Sequence, residues 1–102
     1  MKVELLYFEG CPSYEALLPH LRQLVSAARR ADVELVCIDD EDDARRQRFL
    51  GSPTVRVDGV DVEPGAAGRS DYGLKCRLFA TPDGLRPTPA DEWLIAALSR
   101  GA

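Results

Sequence analysis

Apolar residues occupy both alternating positions between Lys2 and Phe8, as Val3, Leu5, Leu6, Tyr7 and Phe8, and the run stops at Gly10. A strand that is apolar on both faces belongs in the middle of a sheet, covered from both sides. From Pro12 to about Arg30 the period changes, with Leu17, Leu18, Leu21, Leu24, Val25 and Ala28 at helical spacing. This predicts an amphipathic helix packed on the sheet. Pro19 lies inside it, and a proline there removes a hydrogen bond and should bend the axis. Val33 to Ile38 reads as a second strand, close enough in sequence for a parallel crossover with the first.

Beyond Ile38 the acids Asp39 to Asp43 precede Arg45, Arg46 and Arg48, the order that complements a helix dipole. No glycine-spaced calcium-loop pattern accompanies these acids, so they read as a helix start. Thr54 to Val62 alternates apolar and polar residues around Asp58-Gly59, a tight hairpin signal. Glu63 to Gly73 reads as loop, and Leu74 to Phe79 as a further strand running antiparallel to its neighbours. Thr81-Pro82-Asp83-Gly84 turns the chain. A last helix is expected to open with Thr88 as N-cap and Pro89 at its first position and to close near Gly101. Trp93, Leu94, Ala97 and Leu98 form its apolar face, which makes Trp93 a core residue.

At 102 residues this is enough chain for a single domain, residues 1–102, with one apolar core. The formal net charge of −4 offers no basis for nucleic-acid binding or for an anionic membrane surface. The longest apolar run, Leu5 to Phe8, is far too short to span a bilayer, and Met1-Lys2-Val3-Glu4 lacks a signal-peptide pattern. Cysteines at 11, 37 and 76 are odd in number and widely spaced, which fits a reducing compartment, so a cytoplasmic location is expected. With His20 the only histidine, no zinc-type ligand spacing exists, and no cofactor or metal site is expected from spacing.

The candidate chemistry centres on Glu9-Gly10-Cys11-Pro12-Ser13-Tyr14, where a strand gives way to a helix. Unpaired N–H groups at a helix start favour thiolate over thiol, by about 0.3–2 kcal/mol. Position 14 holds Tyr14, not the second cysteine of a dithiol motif. Its hydroxyl is a candidate donor to a thiolate or a substrate. Cys37, inside an apolar strand, is assigned to the core, and His20 to the solvent face of its helix. Cys76 reads equally as a buried strand cysteine or as a partner of Cys11, while alternation sends Arg77 to the opposite face, its stem lying on the sheet surface.

The order strand, Cys11 turn, helix, strand, helix, then Ser52-Pro53-Thr54 before a hairpin and a last helix resembles the thioredoxin superfamily over nearly the whole chain. Pro19 stands eight residues after Cys11, as the kinking proline of that family does. More narrowly, Gly10-Cys11-Pro12, Gly51-Ser52-Pro53-Thr54, Val57 to Asp61 and Cys76-Arg77-Leu78-Phe79 are similar to small bacterial thioredoxin-like proteins, some labelled alkylmercury lyase-like. The resemblance implies an α/β thioredoxin-like fold, a central mixed sheet of four to five strands flanked by three helices. It also implies a cis bond before Pro53, which would turn the Ser52 backbone toward an extended thiol substrate, and a functional role for Cys76.

Three functions follow as expectations. The first is a thiol–disulfide oxidoreductase or monothiol redox protein, with Cys11 as nucleophile, Cys76 as resolving thiol, and Ser52, Pro53 and Tyr14 contacting protein or glutathione thiols and disulfides. The second is a module holding a soft ion such as mercury or copper between Cys11 and Cys76. Carbon–mercury cleavage would further ask for a proton donor, with Asp71 and Glu9 as loose candidates. The third is a thioredoxin-like interaction domain without thiol chemistry.

Overall fold

The computed structural model describes residues 1–100. Its central sheet has four strands: β1 (Val3–Tyr7), β2 (Glu34–Cys37), β3 (Thr54–Val57) and β4 (Val60–Asp61), in the order β2-β1-β3-β4. Strand β2 runs parallel to β1, with Tyr7 opposite Cys37, whereas β3 is antiparallel to β1, with Leu6 opposite Thr54. A separate two-stranded sheet joins β5 (Phe79–Thr81) to β6 (Gly84–Arg86). Three α-helices complete the fold: α1 (Pro12–Ala27), α2 (Glu41–Arg46) and α3 (Asp91–Ser99).

The continuous apolar pattern of β1 has its explanation in two cores. Val3 and Leu5 join Leu17, Leu21 and Val25 of α1 and Leu94, Ala97 and Leu98 of α3. Leu6 instead meets Ile38, Ala44 and Phe49, on the side covered by α2. Each large aliphatic side chain buried this way contributes roughly 1.5–3 kcal/mol of transfer free energy.

Helix α1 ends at Ala27, not near Arg30. Arg29 adopts a left-handed backbone, and the N–H groups of Arg29 and Arg30 return to the carbonyls of Ser26 and Val25, closing the helix in a Schellman motif. The Arg30 guanidinium then donates to the Leu98 carbonyl, satisfying the end of α3. Helix α3 starts at Asp91 with Ala90 as N-cap, two residues later than Thr88 suggests, and its first turn carries Asp91 and Glu92. The expected close near Gly101 lies outside the described residues. His20 is half-exposed on α1 and bonds the Asp91 carboxylate at 2.8 Å, tying α1 to α3.

The acidic run is a helix start. Asp40 caps α2 by accepting from the Asp43 N–H at 2.7 Å, and Asp43 in turn accepts from the Asp39 N–H at 3.1 Å. Glu41 reaches the N–H of Leu74 at 3.0 Å and so anchors the long loop. Asp40→Ala should lower unfolding stability by about 1 kcal/mol, read by urea titration of the emission of Trp93, the single tryptophan. An unchanged midpoint would show that the cap is idle.

Asp58 and Gly59 both adopt positive φ, as a two-residue type I′ hairpin requires, and so join β3 to β4. The expected strand from Leu74 is largely absent. Within residues 74–78 β pairing is confined to a single bridge between Cys76 and Ser52, and regular strand begins at Phe79.

Candidate functional site

Sheet register gathers the sequence candidates at one end of the molecule. Cys11 follows the carboxyl end of β1, and Pro53 immediately precedes β3, whose first residue Thr54 pairs with Leu6. Cys37 closes β2 opposite Tyr7, at this same end. It is half-buried on an edge strand, not packed in the core. Burial, then the neighbouring Cys37 and Glu9, pushes the Tyr7 phenol upward.

Gly10, with φ +90°, turns the chain into α1, where Cys11 is the N-cap and Pro12 stands at the first helical position. The Cys11 side chain makes no capping hydrogen bond and is buried, at 1% exposure. Tyr14, one turn on, stacks on Tyr7 with ring centroids 4.1 Å apart. Desolvation, then Glu9 and Glu15, raises the Tyr14 phenol, so it stays a protonated donor at neutral pH.

The Ser52–Pro53 peptide bond is cis. Both Ser52 backbone groups are occupied within the chain: its N–H donates to the Lys75 carbonyl at 2.8 Å, and its carbonyl accepts from the Arg77 N–H at 3.0 Å. The two segments run parallel, not antiparallel as the sequence suggests. An extended substrate would therefore find these groups taken. The Ser52 hydroxyl is buried without a hydrogen-bond partner. Cys76, the bridged residue, is exposed. All three thiols are free.

What fixes Cys76 in place is its neighbour. Arg77 is not laid on the sheet surface but buried, at 2% exposure. Its Nη1 donates to Asp61 at 2.7 Å and to the Thr54 hydroxyl at 3.0 Å, while Nη2 donates to Asp61 at 3.1 Å and Glu63 at 2.9 Å. The guanidinium also lies over the Phe79 ring, 4.3 Å from its centroid. Thr54 completes the chain of bonds by donating to the Gly51 carbonyl at 2.6 Å. Glu63 bonds the Ala80 N–H as well, at 3.1 Å, so one carboxylate holds both ends of residues 77–80. Sequence reasoning missed this cluster. Its signal is Asp61-Val62-Glu63, two acids at strand spacing that share a face and need a cation.

Asp71 is poorly suited to donating a proton. Hydrogen bonds from Arg69 and Lys75 hold its carboxyl far below the usual carboxylate range. Among the described residues no three or more His, Cys, Asp or Glu side chains converge as metal ligands. No helix there is long and apolar enough to cross a membrane. No protein-family model, curated protein or solved structure matches this chain.

Proposed function

We propose that the chain is a thioredoxin-like thiol redox protein in which Cys76 meets the partner disulfide and Cys11 receives the bond. The observation that carries this reading is the exposed Cys76, bridged to Ser52 beside Pro53, at the end of the sheet to which β1 delivers Cys11. Exposure reverses the order of roles that the helix start suggests. A thiol that is 1% exposed suits the second, internal step better than first contact with a protein or glutathione.

In the first step the Cys76 thiolate attacks one sulfur of a disulfide, forming a mixed disulfide and releasing the other sulfur as a thiolate that takes up a proton. In the second, Cys11 loses its proton and attacks the Cys76 sulfur, expelling the remaining thiol. The protein dithiol gives up two electrons and the substrate disulfide gains them. A Cys11–Cys76 bond requires their Cα atoms to come within about 7 Å.

Oxidised glutathione tests the sequence of events. Mass mapping should find glutathione first on Cys76 and then a Cys11–Cys76 disulfide. Cys11→Ser should accumulate the mixed disulfide, and Cys76→Ser should react at least about tenfold more slowly. Adducts on Cys37 alone, or a Cys76→Ser rate equal to wild type, would remove the proposal.

One pair of observations favours a second reading, an interaction domain without thiol chemistry. Cys11 is closed off from solvent, and the Ser52 backbone is already satisfied by residues 75–77. No Cys11–Cys76 disulfide, with Cys76 reacting no faster than a free thiol and Cys11 only after denaturation, is the outcome that reading expects.

A further inference from the structure

A second candidate site lies away from the thiols, in an open groove of about 710 Å³ along β4, the edge strand of the main sheet. None of Cys11, Ser52, Pro53 or Cys76 lines it. Its volume falls in the range of pockets that hold small organic ligands. The lining includes four arginines, Arg48, Arg56, Arg69 and Arg100, of which Arg56 donates one Nη to the Gln47 and Arg48 carbonyls and Arg69 is bonded to Asp71, together with Tyr72 and Trp93.

Charge decides the kind of ligand. The two carboxylates in the wall, Asp61 and Glu63, share the buried Arg77, and Glu63 also pairs with Arg69, which leaves Arg48, Arg56 and Arg100 outside the ion pairs of the described residues. Asp71 also fails to cancel the cations, since it is shared between Arg69 and Lys75. The groove is therefore a positive recess in a chain whose formal net charge is −4. A concave patch opposite in sign to the rest of the molecule concentrates anions against the repulsion of the remaining surface. Guanidinium forks match carboxylate, sulfonate or phosphate oxygens, and they also stack on flat rings. Trp93 and Tyr72 are each half-buried, so each retains some surface to offer a ring.

We infer that this groove binds a small organic anion carrying a flat apolar portion, its acid group among Arg48, Arg56 and Arg100 and its ring against Trp93 or Tyr72. The inference is independent of thiol chemistry. The single tryptophan lies in the groove wall, so occupancy is read directly from its emission.

The test uses 1-anilinonaphthalene-8-sulfonate as the anionic probe and N-phenyl-1-naphthylamine as its neutral counterpart. The sulfonate should quench Trp93 saturably, and raising salt from low to physiological ionic strength should weaken it. The double variant Arg48→Gln, Arg100→Gln changes two exposed side chains and should loosen the sulfonate roughly fivefold while leaving the neutral compound unchanged. Far-ultraviolet circular dichroism should show the variant folded as in wild type. Equal binding of the two compounds, no saturation, or a sulfonate affinity unmoved in the folded variant would each overturn the inference.

Discussion

Arg77→Met is expected to lower unfolding stability by about 3–5 kcal/mol, because it leaves Asp61 and Glu63 without the cation between them. Domains of this size are stable by roughly 5–15 kcal/mol in total, so the variant stands near the edge of folding. At about 4–8 °C per kcal/mol, its melting temperature should fall by at least about 12 °C. The loss should be mostly the cost of leaving Asp61 with no cation and Glu63 with Arg69 alone, not the net worth of the ion cluster. Hence the triple variant Arg77→Met, Asp61→Asn, Glu63→Gln should recover at least about half of it, since neutral amides can remain without a counterion. Urea unfolding followed through Trp93 emission and circular dichroism gives both numbers. A single-variant loss under about 1 kcal/mol would mean that segment 75–77 is held by its backbone bridge to Ser52 alone.

That cluster also marks the boundary between what the chain's pattern discloses and what it conceals. Strand β1, the parallel crossover to β2, the Asp58-Gly59 hairpin and the N-terminus of α1 at Cys11 were all legible. Each rests on a local signal: a two-faced apolar run, a change of period, two positive-φ residues, a proline at the first helical position. Residues 74–78 were not. Leu74, Cys76 and Leu78 alternate with Lys75 and Arg77 as in a half-buried strand, yet it is the charged Arg77 that is buried and Leu78 that is exposed at 58%. Alternation places side chains on opposite faces but does not say which face is covered. Here the covered face is decided by Asp61, Glu63 and Thr54, more than a dozen residues away. The same non-local choice spends the Ser52 backbone on an internal bridge and leaves Cys76, not Cys11, in contact with solvent.

The end of α1 is hidden in the sequence for the opposite reason, a local event with no local signal. Arg29 takes the left-handed position usually filled by glycine, and its neighbour Arg30 is anchored on the Leu98 carbonyl of α3. Tertiary contact thus holds a backbone conformation that the arginine side chain does not itself favour.

Gly51→Ala tests the other half of the lock around Cys76. Gly51 has φ +122°, outside the range that L side chains adopt readily, and a Cβ there would stand 2.9 Å from the Arg77 Cβ and 3.0 Å from the Lys75 carbonyl. Backbone strain and overpacking together should cost about 3 kcal/mol. Gly65→Ala is the matched control: its φ is +83°, but a Cβ there meets nothing within 4 Å. It should lose only about 1 kcal/mol, the conformational part alone. The difference between the two variants combines the extra backbone strain at φ +122° with the pressure of residues 75–77 on the loop before Pro53. Because those residues carry the exposed thiol, Gly51→Ala should also change the rate at which oxidised glutathione reacts at Cys76, while Gly65→Ala should leave it at the wild-type value. Equal stability losses in the two variants would show that the strap yields freely to the added methyl group. An unaltered Cys76 rate in a destabilised Gly51→Ala would separate the packing of the strap from the reactivity of its thiol.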